Sequence, residues 1–135
     1  MGRKMKSVFR QASVVFATLL LPVGAKGQGI NANDLIRICD GEYENAEAIC
    51  KMYIWGAIEG MQLGADSSAF NSGFTEGQAM RNHAQALLGV CDPGTVTRGQ
   101  QFEVVQRYIR NNPQNWHQPS IVLIHRALMD AFPCR

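Results

Sequence analysis

Apolar residues recur at helical spacing along most of the chain. The clearest run is Ala46, Ile49, Cys50, Tyr53, Ile54, Ala57, Ile58 and Met61. These positions follow i, i+3, i+4, i+7 without a break, which predicts a long amphipathic helix reaching to about Gly64. Glu47 and Lys51 form an i,i+4 pair on its polar side. Gly56 and Gly60 share one flank, and each glycine costs a helix about 1 kcal/mol. That cost predicts the close approach of another backbone. Met52 and Trp55 point off the main stripe. Two readings stay open: a central helix buried on both sides, or a surface for self-association or a partner.

The rest of the pattern is also helical. "NANDLIRICD" predicts a short helix capped by Asn33, with Leu35, Ile36 and Cys39 inward and Gly41 as its stop. "AMRNHAQALLG" predicts another, with Met80, Ala84, Leu87 and Leu88 on one side. Thr97 and Gln100 form a capping-box pair ahead of Phe102, Val105 and Ile109, and Asn112-Pro113 ends that helix. A last helix opens at Pro119, turns Ser120, Ile124, Ala127, Leu128 and Ala131 inward, and stops at Pro133. Residues 64–77 are rich in Ser and Gly without a period, which predicts a loop long enough to be functional or mobile. Phe70 and Phe74 inside it are expected to pack back on the core or to meet a partner. No strand alternation or hairpin turn pair is visible. The expected fold is all-α, a small bundle of four to five helices with antiparallel neighbours.

The first residues do not fit this bundle. Arg3, Lys4, Lys6 and Arg10 precede an uncharged apolar run, Ala12 to Leu21, and Val23-Gly24-Ala25 puts small residues at the −3 and −1 positions of a cleavage site. This is the pattern of a secretory signal peptide over residues 1–27, cleaved after Ala25 or Gly27. The apolar run is well short of the roughly 20 residues that span a bilayer. The mature domain, 28–135, would then carry no membrane anchor. Its charge changes too. Of 13 basic and 11 acidic residues, five basic ones and no acidic ones leave with the leader, for a mature net charge of about −3. A nucleic-acid binder would need a basic patch, so that class is not indicated.

All four cysteines, Cys39, Cys50, Cys91 and Cys134, lie in the mature part. An even number in an exported small domain reads as two disulfides. A short turn around Pro113 to Pro119 makes the last two helices a hairpin, and Cys91 and Cys134 flank its open end. Cys39 and Cys50 flank the first helix–helix turn in the same way. Four cysteines allow three pairings, of which this logic favours 39–50 with 91–134. Little chemistry is visible otherwise. His83, His117 and His125 are scattered without zinc-ligand spacing. Paired cysteines supply no thiolate nucleophile. His117 stands just before a helix start, where capping is the simple account. No cofactor or metal is expected, and the domain reads as a binder rather than an enzyme.

The C-terminal half carries a more specific pattern: Cys91 and Pro93; Val96, Thr97 and Gln100; Tyr108 and Ile109; Asn112 and Pro113; His117; and Ala127 to Cys134. Upstream, Cys50, Tyr53, Ile54 and Gly56 complete it. Together these resemble the Rap/Tai family of small periplasmic immunity proteins, which protect bacteria from cell-wall amidases delivered by type VI secretion. The chain departs from the family pattern at Asp92 and Gln101, where aliphatic residues are usual. The resemblance implies a periplasmic helical homodimer. It would bind a secreted peptidoglycan amidase of the NlpC, papain-like type and block its active site with a loop. An acidic surface would steer a basic toxin. Aromatic anchors would hold the interface, with Trp55, Phe70 and Phe74 as candidates. The rival reading is a periplasmic chaperone or stress-related binding protein without catalytic activity. An enzyme ranks below both.

Overall fold

The structure, a computed structural model, describes residues 29–41 and 44–135. The expected leader over residues 1–27 lies outside the described residues. Five α-helices follow in order: α1 (Ala32–Cys39), α2 (Ala46–Asn71), α3 (Gly77–Leu88), α4 (Arg98–Asn111) and α5 (Ser120–Ala131). A single 3-10 turn, Pro113–Asn115, joins α4 to α5. No strand occurs among the described residues. The all-α expectation therefore holds, with five helices and both disulfides as anticipated, Cys39–Cys50 and Cys91–Cys134.

Local chemistry sets the helix ends. Asn31, not Asn33, caps α1, its side-chain oxygen accepting the Asp34 N–H at 2.9 Å. Thr97 and Gln100 form the expected reciprocal box on α4. The Gln100 N–H donates to Thr97 Oγ1 at 3.2 Å, and the Thr97 N–H donates to Gln100 Oε1 at 2.8 Å. No side chain caps α5, His117 included: the helix starts at Ser120, one residue after the expected Pro119, which is its N-cap. Gly89 ends α3 at φ 66°, a left-handed conformation that favours glycine, and a Cβ there would meet the Met129 sulfur at 3.3 Å.

The main core gathers Leu35, Cys50, Ile54, Ile58, Phe102, Val105, Ile109, Leu123, Ile124 and Leu128 around α2 and the α4–α5 hairpin. Leu123 is fully buried although the expected α5 stripe omitted it, and Ala131, which that stripe included, is exposed. One buried hydroxyl ties three segments together. Ser120 Oγ donates to the Ile30 carbonyl at 2.7 Å and lies 2.6 Å from Tyr53 Oη. A carbonyl can only accept, so the serine hydrogen is spent there and Tyr53 must be the donor of the second bond. Backbone bonds from Ala32 to Gln118 and from Ser120 to Ile30, each 3.0 Å, fix the same corner.

The largest correction concerns residues 64–77. Most of that stretch is helical: α2 runs unbroken to Asn71, and only Ser72 to Glu76 are loop. Ala65 and Ala69 sit one turn apart and bury against Ala84 of α3, forming a second small core with Phe74, Met80 and Leu88 at its edge. Ser67 and Ser72 return their hydroxyls to carbonyls four residues back, at 2.7 and 2.9 Å, instead of breaking the helix. Tertiary packing overrides weak propensity here. α2 and α3 thus form an arm that extends the bundle.

One ion pair links distant parts of the main body. Arg110, in the last turn of α4, grips the α1 C-cap residue Asp40 with two hydrogen bonds, 2.6 and 3.2 Å. The hydrogen bond from Arg110 holds the Asp40 carboxyl below the usual carboxylate range, with its positive charge adding to the effect and partial burial opposing it. A lowered native pKa stabilises the fold above the unfolded value, about 3.9, and that stabilisation is lost as pH falls through the native pKa. Both side chains are about half exposed (50% and 45%), so the pair is worth less than about 1 kcal/mol. Urea melts of the parent and Asp40→Asn proteins should differ by that small margin at pH 7, and the difference should shrink as the pH falls from about 4 through the lowered native pKa. A difference that persists in acid would assign the effect to packing. Leu123→Ala should cost about 2–5 kcal/mol in the same assay, as a truncation at a fully buried site.

Candidate partner-binding surfaces

No group of His, Cys, Asp or Glu among the described residues could hold a metal ion. All four cysteines are bonded. His125 Nε2 lies 2.7 Å from the Leu88 carbonyl, so that nitrogen carries the proton and donates it. The imidazole here is a structural link between α5 and the end of α3.

Three surface features stand out. The first is a cleft of about 200 Å³ where the α2–α3 arm leaves the α4–α5 hairpin. Ile58, Met61, Leu88, Val90, Leu128 and Phe132 form its apolar walls, with Gln62, Asp66, Arg81 and His125 among its polar groups. The volume is below the roughly 300–1,000 Å³ of small-molecule pockets. It suits a side chain better than a cofactor.

The second is the segment between α3 and α4. Cys91 is bonded to Cys134, and its N–H donates to the Phe132 carbonyl at 2.8 Å. Asp92 accepts from the Gly94 N–H at 2.7 Å and from Gln101 Nε2 at 3.2 Å, while Gln85 Nε2 donates to the Asp92 carbonyl at 3.0 Å. Gly94 sits at φ 80°, which favours glycine. Pro93, Gly94 and Thr95 are exposed on a loop held at both ends. Asp92 and Gln101, the two departures from the family pattern, bond to each other here. The sequence analysis assigned this segment no surface role, although Asp-Pro-Gly after a cysteine is a turn signal.

The third is the outer face of α2. Ile49, Met52, Leu63 and Phe70 are 45%, 69%, 68% and 58% exposed. They lie on the side opposite Ile54, Ile58 and Ala65. Gly56 and Gly60 share this face, and a Cβ at either would meet nothing within 4 Å. The close backbone approach expected from these glycines is therefore absent among the described residues. Ile49, assigned to the buried stripe from the sequence, belongs to this outer face.

The three aromatic candidates separate. Trp55 is half-buried beside the loop, its indole N–H donating to the Arg98 carbonyl at 3.3 Å while the Arg98 guanidinium stands 5.9 Å from the ring centre. Arg98 also pairs with Glu59. Phe74 stacks on His83 with ring centres 4.4 Å apart, inside the arm. Phe70 projects outward from the arm. The structure thus places the three at separate points rather than in one cluster.

Residues 31–134 fit the family model described as Rap1a immunity proteins. No curated protein and no solved structure matches the chain.

Proposed function

The chain belongs to the family of Rap1a immunity proteins, and from that premise we propose a specific partner and mode of inhibition. Membership makes it a non-catalytic inhibitor of amidase effectors of type VI secretion. The proposed partner is an amidase of the NlpC, papain-like type, met in the periplasm by a homodimer of this chain after removal of residues 1–27. Two disulfides support an oxidising compartment.

The observation that carries the mode of inhibition is the braced loop from Asp92 to Thr97. A papain-like amidase works through a thiolate and a base at the bottom of a groove. Blocking it takes a narrow element that fits the groove and does not collapse there. The Cys91–Cys134 bridge and the Asp92 bonds hold the loop in one shape before contact, so binding loses little conformational entropy. Trp55 and Arg98, at the loop's flank, offer the aromatic and cationic contacts that anchor interfaces.

Thr95→Trp enlarges the exposed tip without touching any of these bonds. It should weaken inhibition of the amidase at least tenfold in a peptidoglycan-cleavage assay, with the thermal melt unchanged. Undiminished inhibition would place the contact elsewhere. Cys91→Ser with Cys134→Ser should also lower stability, by up to about 4 kcal/mol in the chain-entropy model for a loop of this span.

A further inference from the structure

We infer that the cleft between the α2–α3 arm and the α4–α5 hairpin binds a free apolar α-amino acid. Asp66 takes its ammonium group, Arg81 takes its carboxylate, and its side chain lies against Ile58, Leu88, Leu128 and Phe132. This ligand is independent of the proposed amidase.

Two kinds of surface meet in the cleft. Its body end is apolar. Ile58 and Leu128 belong to the main core, and Leu88 and Phe132 are half-buried beside them. Its arm end carries charge, Asp66 on α2 and Arg81 on α3. Asp66 lies about 12 Å beyond Ile58 along α2, and Arg81 about 10 Å before Leu88 along α3. The charged end and the apolar end are thus separate parts of one slot.

The two charges are unspent. The half-buried Asp66 carboxylate makes no hydrogen bond or ion pair among the described residues. Asp34, Asp40, Glu47 and Glu59, by contrast, each hold an arginine or lysine. Arg81 is exposed and gives one bond, at 2.9 Å, to Gln78 Oε1 in its own helix. Asp66 and Arg81 form no ion pair with each other, although they line the same cleft. Each can therefore still take a partner of opposite charge. A partly desolvated carboxylate without a partner carries a cost that a bound cation offsets.

The occupant has to bring a cation, an anion and one apolar group in a small volume. An α-amino acid has all three on a single carbon. A fatty acid, an amine or a protein partner's side chain brings one charge at most. The cleft holds about 200 Å³, the share of roughly seven liquid waters, which is room for one amino acid and not for a peptide. With so few atoms in contact, the dissociation constant should be on the order of 0.1–1 mM.

The test is calorimetric titration of the purified, oxidised protein with L-leucine, leucinamide and 4-methylpentanoate. The last two each lack one charge and should bind at least tenfold more weakly than leucine. Asp66→Asn should also lose leucine affinity at least tenfold, yet bind 4-methylpentanoate as the parent does. Arg81→Gln should mirror this, losing leucine but keeping leucinamide. Neither side chain makes a tertiary bond, so circular dichroism should not change, and this crossed pattern cannot arise from unfolding. Methyl resonances of Ile58, Leu88 and Leu128 should shift as leucine is added. Absence of saturable leucine binding well above the stated range would overturn the site. Equal affinity for all three compounds would reduce it to an apolar hollow and overturn the assignment of Asp66 and Arg81. Resonance shifts confined to other residues would overturn its location.

Discussion

A helix of 26 residues that must bury one face along its whole length cannot do so against one small core. That constraint organises the fold. The first half of α2 packs on α1 and on the α4–α5 hairpin through Cys50, Ile54 and Ile58. Beyond Met61 the hairpin ends, and the helix would run on into water. α3 folds back along this second half and supplies Ala84 to Ala65 and Ala69. The two cores differ in kind. The first is built of branched and aromatic side chains, the second of alanines with larger residues only at its margin. Area buried scales with side-chain size, so the arm is held less strongly than the body. Its junction is tied by the His125 bond to the Leu88 carbonyl and turns at Gly89, whose left-handed backbone ends α3.

Sequence reasoning read the body well because its signals were redundant. At α4, the capping box, the Phe102–Val105–Ile109 stripe and the Asn112-Pro113 stop all agree. The C-terminal half of α2 gave conflicting signals. Gly64, two serines and an aspartate are poor helix formers, and the evidence for a helix there was only two alanines four residues apart. Their meaning depends on Ala84, which lies far along the chain. Ile49 was misassigned for a related reason. Period alone cannot tell a buried stripe from a second exposed one when both are apolar, and Met52 and Leu63 show that both are present. Cap positions erred by two residues because Asn31 and Asn33 are chemically equal, and only the bond to Asp34 separates them.

The surface features were less legible. Trp55, Phe70 and Phe74 stood out by residue type, yet type says nothing about whether an aromatic ring is already occupied. Trp55 is engaged by Arg98 and Phe74 by His83, while Phe70 remains outside. The braced loop is made of small and polar residues that no hydrophobic scan would select. Its stiffness comes from bonds that span 7 and 9 residues and a bridge that spans 43. In both cases the decisive fact is a contact between remote positions.

The two bridges differ in a further respect, which follows from their places along the chain. A polypeptide is delivered N-terminus first, so Cys39 and Cys50, 11 residues apart, can join while the rest is still arriving. Cys91 must wait for 43 more residues before its partner exists. In the interval three cysteines are present and the wrong partner is the nearer one. Early closure of 39–50 removes both competitors and leaves Cys91 only one choice. The short bridge, once closed, thus narrows the pairings open to Cys91 to one, and the bridge that braces the loop between α3 and α4 is the later of the two that the chain can form.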